Sequence, residues 1–171
     1  MKKFFATLIL AAMVLSTGCG SSNENSASPA EQKPAASVNT SPANSPDAKF
    51  SIGGISPNMS LDDAKKILGE PTSAHDDDEF TFANGLLVET DGLLNGKIES
   101  VKIRQAGVST GAGVAVGMTE QDLANAYGKP DSTENDDGKI EHKYFSGDRR
   151  IKLEFDVVNG VITEINCSLD D

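Results

Sequence analysis

Polar and apolar residues alternate along the C-terminal third of the chain. Over residues 150–157 every second residue is apolar and the others are charged. A period of two predicts a β-strand with one face buried and the other in water. Similar segments are separated by turn sequences such as Asn84-Gly85 and Asn159-Gly160, which favour tight hairpins. The sequence therefore predicts six strands, at residues 79–83, 86–91, 97–104, 139–145, 150–157 and 161–168.

Two segments, residues 54–71 and 113–130, match without gaps at an offset of 59 positions. Each contains an expected N-cap of Ser or Thr, with an aspartate three residues later that completes a capping box. A glycine after the last turn is expected in the left-handed conformation, and a following proline prevents continuation. Each copy therefore predicts a helix of about two turns, which needs a sheet to pack on. The corresponding pairs are Ser60 and Thr119, Asp63 and Asp122, and Gly69 and Gly128.

These patterns predict the α+β class. We expect two tandem α-β-β-β repeats, at residues 49–105 and 106–171, which together make one compact domain at residues 49–171. The expected sheet has about six antiparallel strands, with the short helices packed on one face. Residues 135–138 are expected to form a turn that leads into a strand.

The start of the chain has the pattern of a lipoprotein export signal. Two lysines precede an apolar run of about a dozen residues, which is shorter than the ~20 that a spanning helix needs. The run ends in Leu15-Ser16-Thr17-Gly18-Cys19, which resembles a bacterial lipobox, although Ser16 stands where leucine is usual. We expect residues 1–18 to be a signal peptide and Cys19 to be lipidated; an ordinary secretory signal is the alternative. Residues 19–48, rich in Ser, Ala, Asn and Pro, are predicted to be a disordered tether.

The composition is strongly acidic. The chain has 15 Lys and Arg against 26 Asp and Glu, a formal net charge of -11. Removal of the two lysines in the signal peptide would make the net charge more negative still. This balance opposes binding to nucleic acid, whose affinity comes mainly from Lys and Arg on phosphates. We therefore expect no nucleic-acid partner, and membrane contact through lipid on Cys19.

The recurring signature Gly-[Ile/Val]-x-x-x-Met-[Ser/Thr], closed by Gly-x-Pro and followed by predicted strands, resembles the SmpA/OmlA-type lipoprotein domain. It is also similar to the tandem-repeat scaffold of the β-lactamase inhibitor proteins. The resemblance covers about residues 50–169 and implies a fold more than a function. It implies no enzymatic activity, since its members include envelope-assembly lipoproteins and inhibitors of secreted enzymes. Those inhibitors bind through an aromatic-rich sheet face, whereas the corresponding face here is charged.

Several polar residues admit a chemical role beside a structural one. Residues 75–79 combine a histidine with four acids and suggest a divalent cation site. A solvated loop is favoured, because the side chains of consecutive loop residues rarely point toward one metal ion. His142 is expected as a hydrogen-bonded histidine at the edge of the core, and Cys167 as a buried thiol. Glycines 107, 111, 113 and 117 predict a flexible junction rather than a phosphate-binding loop. We predict no catalytic residue, metal site or cofactor.

The sequence thus predicts a non-enzymatic lipoprotein, extracytoplasmic and lipid-anchored, that binds another envelope protein or serves envelope assembly. It would lie at the outer face of the plasma membrane or in the periplasm. The alternatives are a lipoprotein that binds a small ligand or cation, and an inhibitor of a secreted enzyme. The expected binding surface is the charged face of the sheet, with the groove between the repeats as an alternative. Its candidate residues are Lys143, Arg150, Lys152, Glu154, Asp156 and Glu164.

Overall fold

Two α-helices, a short 3₁₀ helix (Pro46–Lys49) and eight strands form within residues 46–92 and 95–170, the part of the chain that the computed structural model describes. The expected signal peptide, Cys19 and nearly all of the expected tether lie outside these residues. No helix within the described part is long and apolar enough to cross a membrane. In chain order the elements are α1 (Leu61–Leu68), β1 (Ser73–His75), β2 (Glu79–Thr81), β3 (Leu87–Asp91), β4 (Lys97–Ile103), α2 (Glu120–Tyr127), β5 (Ser132–Asp136), β6 (Lys139–Phe145), β7 (Ile151–Val158) and β8 (Val161–Leu169).

All eight strands belong to one sheet with the order β1-β2-β3-β4-β8-β7-β6-β5, and every neighbouring pair is antiparallel. Each half of the chain contributes four consecutive strands, and β4 pairs with β8 at the centre. The predicted α+β class is confirmed. The predicted count of six strands, with three in each repeat, is wrong because β1 and β5 were expected as loops and turns. Both edge strands are exposed at every residue, so they lack the buried alternation by which a strand is recognised.

Both helices begin at the expected caps. The Ser60 side chain accepts a hydrogen bond from the Asp63 backbone at 3.1 Å. The Asp63 carboxylate accepts from the Ser60 hydroxyl and not from its backbone, so the predicted capping box is incomplete at α1. At α2 the capping box is complete, since the Thr119 hydroxyl accepts from the Asp122 backbone and the Asp122 carboxylate accepts from the Thr119 backbone. Each helix has eight residues, as expected for about two turns.

The glycines that follow the helices have φ of 85° and 79°, at Gly69 and Gly128 respectively, but their ψ values are -170° and -150°. The predicted left-handed helical conformation is therefore corrected to an extended one with positive φ, a region that is essentially restricted to glycine.

The two halves make corresponding contacts where each helix meets the sheet. The backbone N–H of Ile98 donates to the carbonyl of Met59 at 2.8 Å, and that of Ile162 donates to the carbonyl of Met118 at 2.9 Å. A shift in strand register interrupts β3–β4 pairing, and a second interrupts β7–β8 pairing. Met59 and Met118 both pack against the core, so the matching sequences occupy matching environments.

The core lies between the helices and one face of the sheet. Ala64 of α1 and Leu123 of α2 are buried in the same cluster as the inward side chains of the strands. Strand β7 supplies Leu153 and Phe155, both with no exposed surface. The predicted buried thiol, Cys167, also belongs to this cluster, and burial raises its pKa far above the ordinary value.

Candidate binding face of the sheet

The opposite face of the sheet is built from charged side chains. Because successive residues of a strand point to opposite faces, burial of Leu153 and Phe155 places Lys152, Glu154 and Asp156 on the other side. Strands β6 and β8 continue the pattern beside β7. We call the resulting surface the polar face; its charged members in the second half are Lys139, Glu141, Lys143, Lys152, Glu154, Asp156 and Glu164.

Lys143 is the most connected cation on the polar face. Its Nζ lies 2.8 Å from Glu141 Oε1, 2.9 Å from Glu134 Oε1 and 3.9 Å from Glu154 Oε1. Its side chain is 18% exposed, so neighbouring strands cover most of it. The hydrogen bonds that Lys143 donates to Glu134 and Glu141 raise its pKa, and the same lysine lowers the pKa of Glu141. The ammonium and the carboxylates therefore fix one another in place.

Further ion pairs extend this network across the strands. Lys139 Nζ lies 3.0 Å from Asp156 Oδ2, and Lys152 Nζ lies 3.3 Å from Glu154 Oε1. The hydrogen bond with Asp156 raises the pKa of Lys139. Asn166 Nδ2 donates to Glu154 Oε2 at 3.1 Å, while the buried Oδ1 of Asn166 has no hydrogen-bond partner within the described residues. Both side-chain oxygens of Glu154 therefore contact neighbouring side chains: Oε1 contacts lysines, and Oε2 accepts a hydrogen bond from Asn166.

Arg104 joins the two halves at the rim of the polar face. Its Nε lies 2.6 Å from Glu164 Oε2, although the two residues are 60 positions apart in the chain. This contact exists because β4 and β8 are neighbours at the centre of the sheet.

The structure brings together five of the six predicted surface residues and places the sixth at their margin. Arg150 precedes β7, its side chain is 84% exposed, and its Nε lies 3.7 Å from Asp148 Oδ2. Sequence reasoning omitted Lys139, Glu141 and Glu134. The alternation along β6 could have revealed the first two, whereas Glu134 lies in an edge strand that was expected to be loop. Whether the six residues bind a partner stays a prediction.

The ion pairs of the polar face are concentrated in the second half of the sheet, although Glu79, Glu89 and Lys102 place charges on the same face of the first half. Lys143 and Thr81 occupy equivalent positions, since each pairs with the first residue of the adjacent edge strand. Glu154 and Leu87 are equivalent in the next strand along. The same strand arrangement thus forms in the first half without this lysine–glutamate pair, so the fold itself does not demand it.

Three depressions on the surface differ in their chemistry. One of about 660 Å³ lies where the halves join, and its lining has no titratable side chain. The expected glycine junction contributes to it: Gly107 and Gly111 are among its lining residues. Two smaller depressions, of about 120 Å³ and about 140 Å³, lie on the polar face and are lined by lysines, carboxylates and Asn166.

The residues considered for metal or acid–base chemistry have structural partners. His75 ends β1 and its Nε2 lies 3.1 Å from Asp76 Oδ2, with both side chains exposed. His142 is buried; its Nε2 lies 2.8 Å from Glu120 Oε1 and its Nδ1 lies 3.0 Å from Thr133 Oγ1. Over the described residues, no three His, Cys, Asp or Glu side chains form a group suited to a metal ion.

Neither a protein-family model nor a curated protein matches this sequence significantly. Among solved structures, the chain is similar to a DUF4309 family protein from Bacillus subtilis, with 16% identity, coverage of 65% of this chain and 78% of that chain, and a TM-score of 0.47. It is also similar to a protein from Streptococcus mutans that is named provisionally as a beta-lactamase inhibitor protein. That match has 17% identity, covers 66% of this chain and 84% of that chain, and has a TM-score of 0.27.

The second name falls within the inhibitor part of the resemblance expected from the sequence, and neither name concerns an SmpA/OmlA-type lipoprotein. At these identities and TM-scores, the likeness indicates nothing about what this chain binds.

Proposed function

We propose that this protein is a lipid-anchored, extracytoplasmic lipoprotein whose domain binds another envelope protein without catalysing a reaction. The observation that supports binding is the polar face: one side of an eight-stranded sheet is not covered by any other described residues and carries charged side chains already fixed by ion pairs. A partner that docks there meets side chains whose rotamer freedom is largely lost, which reduces the entropic cost of association.

The unequal distribution of ion pairs between the two halves supports the same proposal. Thr81 and Leu87 stand where the second half has Lys143 and Glu154. A sheet face that served only solubility would not need three strands of interlocked charges in one half. Charge pairs at an interface favour the specificity and orientation of a partner more than raw affinity.

The anchoring part of the proposal rests on the sequence that ends at Cys19. Two or three acyl chains give stable attachment, whereas one chain gives only marginal attachment. Mature wild-type protein is expected in the detergent phase after detergent partition, and the Cys19→Ala protein is expected in the aqueous phase. Equal membrane association of the two proteins would contradict lipid anchoring.

The binding part is tested by site-specific photocrosslinking in the native host. A photoreactive side chain at Lys102, at the centre of the polar face, is expected to give a defined crosslinked protein. The same group at Lys66, on the exposed side of α1, is the matched control and is expected to give none of that product.

Charge reversal then tests the surface itself. Lys152→Glu in the protein labelled at Lys102 is expected to weaken the crosslink at least tenfold, because it places a further negative charge beside Glu154. Lys65→Glu makes the same charge change on α1 and is expected to leave the crosslink unchanged. Identical products from both labelled positions, or full retention with Lys152→Glu, would rule out the polar face.

A further inference from the structure

Strand β5 forms one edge of the sheet and, among the described residues, has no neighbour on its outer side. Its five residues are all exposed, as are the three residues of β1, the shorter strand at the other edge. Natural sheets usually protect an edge with proline, charged side chains, a bulge or a very short strand. Strand β5 has the sequence Ser-Thr-Glu-Asn-Asp, without proline or lysine, and its pairing with β6 is continuous. Its charges are all acidic, so they oppose another acidic strand but not a basic one.

The register determines which backbone groups of β5 face outward. Asp137 and Gly138 have φ of 46° and 88° and form a two-residue hairpin turn, which makes Asp136 and Lys139 a hydrogen-bonded pair. Such pairs alternate along an antiparallel ladder, so Glu134 is the next residue bonded to β6. The N–H and C=O groups of Thr133 and Asn135 therefore point away from the sheet and are available to another strand.

Neighbouring contacts hold β5 in place for such pairing. The Thr133 hydroxyl contacts His142 Nδ1 at 3.0 Å on the helix side of the sheet, and Glu134 contacts Lys143 at 2.9 Å on the polar face. The Asp131 backbone donates to the Lys143 carbonyl at 2.9 Å, and the Asp131 carboxylate accepts from the Phe145 backbone at 3.0 Å. The edge is thus fixed from both faces and at its start, so an added strand would find it already ordered.

An acidic depression of about 140 Å³ lies on the polar face beside this edge. Its lining is Glu134, Asp136, Lys139 and Glu141. Lys139 is engaged by Asp156 and Glu141, whereas the Asp136 carboxylate has no side-chain partner in the described part of the chain. The volume equals roughly that of four or five water molecules in the liquid, which is enough room for the ammonium end of a lysine side chain.

The charges also decide against pairing of two copies through this edge. Two β5 strands side by side would bring Glu134 and Asp136 of one copy close to the same acids of the other, and like charges across a strand pair are destabilising. A strand with cations at alternate positions would instead place each cation next to Glu134 or Asp136.

We propose that the β5 edge binds an extended, basic segment of a partner protein by strand addition, with one of its lysine or arginine side chains in the acidic depression. This inference rests on the proposed protein-binding function and names the kind of partner segment. The backbone groups of Thr133 and Asn135 supply affinity, and the acids beside them select cations at every second position.

The test uses the full chain in detergent and a nine-residue peptide that has lysine at alternate positions with threonine or valine between them. Fluorescence anisotropy of labelled peptide is expected to show saturable binding, and hydrogen exchange is expected to slow at the amides of Thr133 and Asn135. A peptide of the same composition with its lysines in one block, and a peptide with glutamate in place of lysine, are expected to bind at least tenfold more weakly.

Two variants of β5 and two matched variants of the other edge locate the binding. Asn135→Pro removes an outward N–H, and Asp136→Lys reverses the unpaired charge; each is expected to weaken binding at least tenfold. Ala74→Pro and Asp77→Lys make corresponding changes at or beside β1 and are expected to change binding less than twofold. Circular dichroism checks that each variant is folded. If Asn135→Pro is unfolded, the proposal is tested by Asp136→Lys and by hydrogen exchange at the amides of Thr133 and Asn135.

Absence of peptide binding at millimolar concentration, or equal weakening by the changes at both edges, would overturn the inference. These outcomes are distinct from failure of the proposed function. Specific crosslinking at Lys102 combined with no peptide binding would leave the polar face as the interface and remove only the edge from it.

Discussion

Replacement of Lys143 by methionine tests whether the polar face is held by the ion pairs that the structure shows. The variant keeps the length and apolar stem of the side chain but removes the charge that Glu134 and Glu141 share. The Glu134 side chain is 66% exposed, so its pair contributes only a few tenths of a kcal/mol. The Glu141 and Lys143 side chains are 23% and 18% exposed, and a charged hydrogen bond of this kind contributes about 1.5 kcal/mol.

The expected loss is therefore about 2 kcal/mol in the free energy of unfolding at pH 7, measured by urea denaturation. For a domain of this size it corresponds to a fall of about 8 °C in Tm. Lys66→Met is the control, because it removes a lysine whose pair with Asp63 is exposed on α1, and it is expected to have no measurable effect.

The pH dependence distinguishes this electrostatic account from a loss of packing. Lys143 lowers the pKa of Glu141 in the folded protein. The resulting stabilisation is present above the ordinary glutamate pKa of about 4.3 and is lost as the pH falls through the lower folded value. The raised pKa of Lys143 keeps the lysine contribution intact up to at least its ordinary value of about 10.4. The difference between wild type and variant should thus be constant from about pH 6 to 10 and shrink below pH 4.

A double-mutant cycle with Glu141→Gln supplies the decisive comparison. A coupling energy of about 1 kcal/mol between Lys143 and Glu141 is expected at pH 7. An equal loss at pH 3.5 and pH 7, or a coupling energy near zero, would show that the loss does not come from the ion pair with Glu141.

Two other predictions concern the glycine junction and the two tyrosines. Gly111→Ala would drive a Cβ into the carbonyl oxygen of Ala48, so the free energy of unfolding in urea should fall by about 1–3 kcal/mol. The Cβ of the control Gly147→Ala would point into open space, so that variant should change the free energy by less than about 0.5 kcal/mol. Equal effects of the two changes would refute the close contact at Gly111. Burial raises the pKa of both Tyr127 and Tyr144 to about 12, and the chain has no other tyrosine. Ultraviolet titration of the folded protein should therefore show little tyrosinate at pH 10, where a free tyrosine is half ionised. Since the folded state keeps the phenol protons to higher pH than the unfolded state does, the free energy of unfolding should fall between about pH 10 and 12. A strong phenolate signal from folded protein at pH 10 would contradict the burial of the two tyrosines.

Local patterns predicted much of the fold. Capping residues located both helix starts, since a cap is a contact between residues three positions apart, as at Thr119 and Asp122. Alternation located the six inner strands because each has one face in the core. It also placed Lys152, Glu154 and Asp156 together on the outer face, as the structure has them.

Arg150 shows that the start of a strand is less certain than its faces. The alternation continues through it in the sequence, whereas β7 begins one residue later, at Ile151, and the Arg150 side chain approaches Asp148. The Arg150 carbonyl still accepts a hydrogen bond from the Asp170 backbone at 2.9 Å, so the difference is confined to the end of the strand.

The sequence by itself therefore determined the capped helices, the inner strands and the side of the sheet to which their charges point, because each depends on neighbours in the chain. The tertiary structure alone decided the edge strands, since β5 gains its hydrogen bonds from β6 and buries no side chain that would mark it in the sequence. It alone also decided the pairing of β4 with β8, which brings Arg104 to Glu164. Contacts of this kind join residues far apart in the chain, and they become favourable only after the core has closed the intervening loop.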